Sequence, residues 1–319
     1  MRIGIDLGAT TIKAGIVDFC GNITRQSVKP TPAHKGYAGV VNEIADTVKE
    51  LAAAEGKGID AIRSIGIGIP GIVYSQSGKV DFCANLSWSN VELGKDLCGR
   101  IGKKVYVAND ATVAALGENL FGCTKGALNS VLLTLGTGIG SGLIINGSIY
   151  SGSHALGAEI GHMIVGENFY RCNCGNNGCL ETFASARAIV KYVSRKIEEG
   201  AQTPLSRLGD GAKLTAEIIF EAAKRGDLIA GEAVDRLCAY LAVGIINIYN
   251  VLDPDVIALG GGLSKAGDFL LAKVKKEVSQ IQLVKGKKYG DIVLAALGNK
   301  AGIIGAAFLE RYIDKEGKL

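Results

Sequence analysis

An α/β protein of two domains is expected from three features of the sequence. Strand-like and helix-like hydrophobic patterns alternate along the whole chain, as in α/β folds. At 319 residues the chain exceeds what one compact core readily supports, since cores stop growing near about 250 to 300 residues. The third feature is an internal echo. LGATTIKAGIVDFCG (Leu7 to Gly21) and LGTGIGSGLIING (Leu135 to Gly147) both run strand, Leu-Gly-Ala/Thr turn, strand, polar turn ending in glycine, once one or two residues are deleted.

The elements follow in order. MRIGIDLGAT alternates as a strand over Ile3 to Ile5, and a second strand, Lys13 to Val17, follows the glycine-containing turn. Helical periodicity covers Val40 to Ala54. Ser64 to Ile69 and Val105 to Ala108 are apolar strand-like runs, the second leading into a helical pattern over Ala111 to Leu120. Val131 to Leu135 and Gly142 to Ile145 form the second hairpin. Helices are expected over Ala184 to Glu198, Thr215 to Arg225 and Gly231 to Leu252, a strand over Val256 to Leu259, and a closing helix over Lys300 to Tyr312. The apolar stretch Leu237 to Leu252 contains Asn247 and Asn250 and falls short of the about 18 uninterrupted apolar residues of a membrane span, so it reads as a buried helix.

Composition narrows the function classes. A hydrophobic content of 48% with 21% charged residues describes an ordinary folded protein. The formal charge of +4 is small, and the basic residues are scattered, which leaves no footprint for nucleic acid. The cluster Lys285 to Lys288 reads as a solvated loop. The sequence opens directly on a strand, without a charged leader and cleavage site, so a cytoplasmic location is expected. In that reducing setting the isolated Cys20, Cys83, Cys98, Cys123 and Cys238 read as small core residues.

The glycine turns have a physical use. Without a Cβ the backbone can bring its N–H groups close to an anion, and two such hairpins could grip a polyphosphate. Each turn alone is also compatible with a purely structural role. A third cluster, VIALGGGLS (Val256 to Ser264), follows a strand and precedes a helical pattern. Gly260, Gly261 and Gly262 could let a base or ribose lie on the backbone, with a helix N-terminus favouring phosphate. Neither the Rossmann nor the Walker spacing is present.

Three groups could do chemistry. Asp110, in VYVANDATVAAL, stands between a buried strand and a helix, either as a helix cap or as a carboxylate that takes the proton of an attacking hydroxyl. Asp6 ends the first strand, where it either bonds to its own turn or holds Mg2+ beside phosphates. The stretch AEIGHMIVGENFYRCNCGNNGCLE, Ala158 to Glu181, holds His162, Cys172, Cys174 and Cys179. Three thiolates and one imidazole match a closed tetrahedral zinc site with no open position for an activated water, so the metal is expected to be structural. A disulfide is disfavoured in the cytosol. Glu159 and His162 share one face of a helical turn, and the metal would draw them toward Glu181 in one polar pocket. Carboxylates and an imidazole suit the hydroxyls of a carbohydrate.

With the two hairpins, AND, EIGH and CNCGNNGCLE, the chain resembles the ROK family of sugar kinases, most closely the bacterial ROK glucokinases. The likeness runs from IGIDLGATTIKAGIVD to LGGGLS and the closing helix. It implies an actin-like or ribonuclease H-like fold of two domains around a cleft. The first domain would be 1–117, completed by a C-terminal helix over 300–319, and the second would be 118–299 and carry the zinc. It implies that Asp110 is the base for the sugar 6-hydroxyl, and that Gly71, Asn85, Asn109, Asp110, Glu159, His162 and Glu181 bind the sugar. Asp6, Gly8, Ala9, Thr10, Thr11, Lys13, Gly136, Thr137, Gly138 and Gly140 would face ATP phosphates and Mg2+, and Gly260 to Gly262 the adenosine.

Some members of the family are sugar-responsive repressors with an N-terminal helix-turn-helix. This sequence starts at the first phosphate strand, so a kinase is expected. GIPGIV (Gly68 to Val73) and ANLSW (Ala84 to Trp88) favour glucose, and Ile72 stands where N-acetylmannosamine kinases carry arginine. N-acetylmannosamine, N-acetylglucosamine and fructose are the alternatives. No membrane or nucleic-acid partner is expected, and the resemblance implies a homodimer or homotetramer.

Overall fold

The computed structural model describes residues 1–56, 58–167, 169–207 and 213–314. The chain opens with an antiparallel meander of β1 (Arg2–Leu7), β2 (Thr11–Val17) and β3 (Ile23–Pro30), then α1 (Gly36–Ala54) and β4 (Ser64–Ile69). A small antiparallel sheet follows, β5 (Ile72–Tyr74), β6 (Lys79–Cys83) and β7 (Trp88–Val91), then α2 (Leu93–Ile101), β8 (Val105–Asn109) and α3 (Asp110–Phe121). The second half begins with β9 (Ser130–Leu135), β10 (Ile139–Ile145) and β11 (Ser148–Tyr150). It continues through α4 (Glu181–Ala184), α5 (Ala186–Glu198), α6 (Ala216–Lys224), α7 (Leu228–Leu252), β12 (Val256–Gly260), α8 (Asp268–Ile281) and β13 (Asp291–Leu294). It ends on α9 (Ala301–Ala307) and α10 (Glu310–Ile313).

Two five-stranded sheets have matching orders, β3-β2-β1-β4-β8 and β11-β10-β9-β12-β13. In each, a hairpin and a third strand lead into parallel strands, β1 with β4 and β4 with β8, and β12 with β13. The echo between Leu7–Gly21 and Leu135–Gly147 is therefore a repeat of supersecondary structure, and both hairpin turns span three residues, 8–10 and 136–138. This is the actin-like, ribonuclease H-like fold. Compact packing divides the chain into one unit of Met1–Ser130, Gly142–Ala158 and Ala296–Leu319, and a second of Val131–Ser141 and Glu159–Ala295.

In the first unit, Ile3, Ile5 and Leu7 of β1 join Ile65, Ile67 and Ile69 of β4 and Val40, Ile44 and Val48 of α1 in one buried cluster. The other side of the sheet takes a helix at very short range. A Cβ at Gly4 or Gly66 would lie 1.8 Å from the backbone oxygen of Ile303 or Ala306, so only glycine lets α9 rest on β1 and β4. Arg2 donates through Nε and Nη2 to Glu310 Oε1 at 3.1 and 2.7 Å, fastening α10 to the start of β1.

In the second unit, α7 runs 25 residues from Asp227, whose side chain accepts the Ala230 N–H, to Asp253 in the left-handed region. Among the described residues no helix is long and apolar enough to cross a membrane.

Two helices differ from the sequence reading. The expected helix Ala184 to Glu198 breaks at Ser185, whose hydroxyl caps the Ala188 N–H and restarts the helix as α5. The closing helix Lys300 to Tyr312 divides in two because Phe308 and Leu309 N–H groups turn to carbonyls three residues back, Gly305 and Ala306. This tightening buries both side chains completely. The final part of the expected helix, 315–319, lies outside the described residues.

Candidate active site

The second unit builds its site around four metal-type ligands. Met163 to Leu180 folds back on itself, with the Leu180 N–H donating to Met163 O and Ile164 bridging Cys179, which brings His162 to the loop that carries the cysteines. The ligand atoms of His162, Cys172, Cys174 and Cys179 all lie within 4.8 Å of one another. Cys174 Sγ is 3.7 Å from Cys179 Sγ, and Cys172 Sγ is 3.6 Å from His162 Nδ1. A tetrahedral zinc ion with bonds of about 2.3 Å to sulfur and about 2.05 Å to nitrogen requires edges of about 3.8 and about 3.6 Å. The set thus fits zinc, and it is too open for a disulfide, whose sulfurs stand about 2.05 Å apart.

His162 turns its two nitrogens to different tasks. Nδ1 faces Cys172, while Nε2 lies 3.9 Å from Glu159 Oε2. That gap is too long for a direct hydrogen bond and suits an intervening hydroxyl. A one-turn 3-10 helix, Ile160–His162, sets the spacing, with the His162 N–H bonded to Glu159 O. Burial raises the Glu159 pKa; His162 opposes that rise and Glu181 adds to it.

Glu181 connects this pocket to the glycine turn. Its Oε1 accepts from Cys172 Sγ at 3.0 Å, and its Oε2 accepts from Ile139 N at 3.4 Å. A Cβ at Gly138 would stand 2.4 Å from the same Oε2. The turn itself closes with the Gly136 N–H bonded to Gly138 O. Metal loop, polar pocket and turn 136–140 are therefore one connected structure. Burial first, and then the Glu181 carboxylate, push the Cys172 thiol up.

Gly260 ends β12, and Gly261 and Gly262 lead into a short 3-10 helix, Gly262–Ala266. Gly261 has φ +81°, and a Cβ there would lie 2.6 Å from Leu135 backbone atoms, so its glycine lets β12 approach the end of β9. Gly262 has open space beside it and lines a cavity of about 300 Å3 with Ala186, Thr215, Phe220, Leu263 and Lys265. Apart from Gly262, the sequence reading missed this lining; its residues come from separate segments and share no spacing.

The first unit holds the other expected residues. Asp6 and Lys13 are cross-strand partners, with Nζ 3.6 Å from Oδ2. Burial raises the Asp6 pKa despite the opposing lysine. Gly8 N–H bonds Thr11 O, and Thr31 Oγ1 donates to Gly8 O, fixing the turn that carries Ala9 and Thr10.

At the end of β8 it is Asn109 that caps α3. Its Oδ1 accepts from Ala111 N and Thr112 N at 2.9 and 3.1 Å, and its Nδ2 donates to Gly71 O at 3.2 Å. Asp110, the first residue of α3, accepts from its own neighbour Ala111 N at 2.8 Å, so the helix cap does not depend on it. Gly71 has φ +113°, and a Cβ would strike Phe82 O at 2.1 Å. Asn85 is exposed in the short 3-10 turn Ala84–Leu86 that follows β6.

One charged residue escaped the sequence reading. Glu118 is fully buried in α3 and accepts from Cys123 N and Ala296 N through Oε2, at 2.9 and 3.1 Å, and from Leu297 N through Oε1 at 2.7 Å. A glutamate inside the apolar run AALGENLF was the available signal.

A protein-family model described as the ROK family matches residues 2–312. A glucokinase of Halalkalibacterium halodurans is 37% identical over 309 residues, which cover 96% of this chain and 94% of that protein. A glucokinase of Thermotoga maritima is 36% identical, with 96% and 95% covered. The solved structure of a ROK family glucokinase from Streptomyces griseus, in complex with glucose and AMPPNP, superposes with a TM-score of 0.81 at 33% identity, covering 97% of this chain and 99% of that one.

Proposed function

The chain belongs to the ROK family, and from that premise we propose that it transfers the γ-phosphoryl group of ATP to the 6-hydroxyl of glucose, feeding glycolysis. The observation that carries this reading is Glu181. One carboxylate touches both the zinc-type loop and the glycine turn, so the groups that would hold a sugar are built onto the groups that would hold a phosphate.

Within this reading Gly71, Asn85, Asn109, Glu159, His162 and Glu181 bind sugar hydroxyls. Asp110 accepts the 6-hydroxyl proton, which makes that oxygen nucleophilic. Turns 8–11 and 136–140, with Lys13, face the phosphates, Asp6 holds Mg2+ through water, and Gly260 to Gly262 face the adenosine. Held there, Mg2+ would supply positive charge against the β- and γ-phosphates. His162, Cys172, Cys174 and Cys179 hold a structural zinc that fixes the imidazole. Residues 1–117 with 300–319, and 118–299, are the two functional domains, and the enzyme works in the cytoplasm as a homodimer or homotetramer.

The test is a coupled ADP-release assay with Mg-ATP across glucose, mannose, fructose, N-acetylglucosamine and N-acetylmannosamine. Glucose preferred over the others is the expected result. Activity confined to an acetamido sugar would move the substrate, and no turnover on any would remove the kinase reading. Asp110→Asn should lower kcat by about 10²- to 10⁴-fold, the worth of a general base. Because Asn109 supplies the cap, the same variant should melt close to the parent; retained turnover would take Asp110 out of the mechanism.

A further inference from the structure

A second cavity lies wholly within the first unit, and none of its lining residues has been given a role above. It has a volume of about 430 Å3, inside the range of about 300 to 1,000 Å3 usual for small-molecule sites. Its walls come from β5, β11 with the loop after it, and α10. Tyr74, Tyr150 and Tyr312 supply three aromatic rings, and Gln76, Ser151 and Ser153 are among the polar groups. Among the described residues no charged side chain lines it.

We propose that this cavity is a binding site for a neutral mono- or disaccharide, separate from the site of phosphoryl transfer. The lining sets the class of ligand. With no cation among the described lining residues, the wall offers a phosphate or carboxylate no opposite charge to offset its lost water. Tyrosine rings offer apolar faces to the C–H faces of a pyranose and a hydroxyl at the rim. Serine hydroxyls and the glutamine amide both donate and accept, which matches the mixed character of sugar hydroxyls. Tyr74 is 38% exposed and Tyr150 45% exposed, a large amount of aromatic surface for a soluble face.

The walls are also joined by short chain to the proposed substrate site. Tyr74 is three residues from Gly71, whose carbonyl accepts from Asn109. On the other side the loop from Ser151 runs to Glu159 through Ala155 and Ala158, two non-glycine residues in the left-handed region at φ 55° and 69°. Such conformations cost of order 1 to 3 kcal/mol and persist where surrounding structure enforces them. A saccharide between β5 and this loop would therefore bear on segments that end at two sugar-binding residues.

The experiment is equilibrium binding of maltose to the full-length, zinc-loaded protein, read by calorimetry and by saturation-transfer NMR. Maltose should bind the parent and Glu159→Ala with affinities within about twofold, because Glu159 belongs only to the proposed substrate site. Tyr74→Ala and Tyr150→Ala should each weaken maltose at least tenfold while leaving glucose kcat within about twofold. Loss of maltose binding in Glu159→Ala would mean that the probe occupies the substrate site, and overturns the proposal. So would absent binding of maltose, unchanged binding in both tyrosine variants, or preferential binding of choline to the rings. A drop in oligomeric mass in the tyrosine variants without a change in maltose affinity would assign the face to contact between copies, and also overturns it. The maltose measurements read binding alone, so they decide the proposal independently of whether the protein proves to be a kinase.

Discussion

Replacing Cys174 with serine should remove the metal and loosen sugar binding together. The geometry gives the size of the effect. His162 offers its Nδ1 to the metal position and its Nε2 toward the gap beside Glu159. Once one thiolate is lost, the remaining donors no longer complete a tetrahedron, and the metal no longer fixes the ring in that orientation. A hydrogen bond to a charged group is worth about 1.5 to 3 kcal/mol, and a loss of about 2 kcal/mol corresponds to about a 30-fold rise in glucose KM. kcat should fall less, since Asp110 stands on α3 and owes its placement to Asn109 and β8. Two measurements check this: zinc content of the purified protein, expected near one equivalent and absent from Cys174→Ser, and steady-state kinetics of both proteins. A metal-stripped enzyme with unchanged glucose KM would refute the clamp.

The remaining predictions concern residues whose neighbours set the sign. Gly138→Ala places a methyl 2.4 Å from Glu181 Oε2, the far end of a flexible side chain, so the melting temperature should stay within a few degrees while glucose KM rises about tenfold. Gly261→Ala instead meets backbone at 2.6 Å with φ +81°, and should destabilise the protein by more than about 1 kcal/mol in denaturant titrations. Glu118→Ala strands three backbone N–H groups; at about 1 kcal/mol or more each, the loss should be about 3 kcal/mol, and a loss below about 1 kcal/mol would show that water replaces the carboxylate. For Asp6 the folded pKa is raised by burial, so the folded state holds this proton more tightly than the unfolded state. Stability from this group is therefore full below the unfolded pKa and is lost as pH rises through the folded one. Asp6→Asn should raise the melting temperature at neutral pH, with the gain shrinking toward acid, and should weaken the response to Mg2+ in the kinase assay; a gain over the parent that is absent at neutral pH, or that grows toward acid, goes against the argument.

What could be read from the sequence divides by how each role is encoded. The metal set was legible because its chemistry depends on residue types at short spacing, C-x-C and a histidine ten residues before, which few other structures need. The hairpins were legible because β1 and β9 are buried on both faces and therefore apolar. Strand β3 was missed for the opposite reason: ITRQSVKP is largely exposed, an edge strand with no buried face to impose alternation. The three short strands β5 to β7 carry too few residues to show a period. Helix α8 was within reach, since Leu270, Val274 and Val278 recur every four residues on its buried face.

The site shows the same division more sharply. Asp110 was ambiguous in the sequence between cap and base, and the structure gives the cap to the residue before it, Asn109, which accepts from the Ala111 and Thr112 N–H groups. A cap must be a short polar side chain before the helix, and the sequence offered two of these in succession, so only their bonds could assign the task. Glu118 illustrates the converse. Its partners Ala296 and Leu297 lie 178 and 179 residues away, and each offers only a backbone N–H, which every residue but proline has. No residue type at those positions records the contact. Only the cost of burying a bare carboxylate does, and that cost attaches to Glu118 itself. A charged residue in an apolar helical run is thus the sequence sign of a long-range backbone clamp, with its place given and its partners withheld.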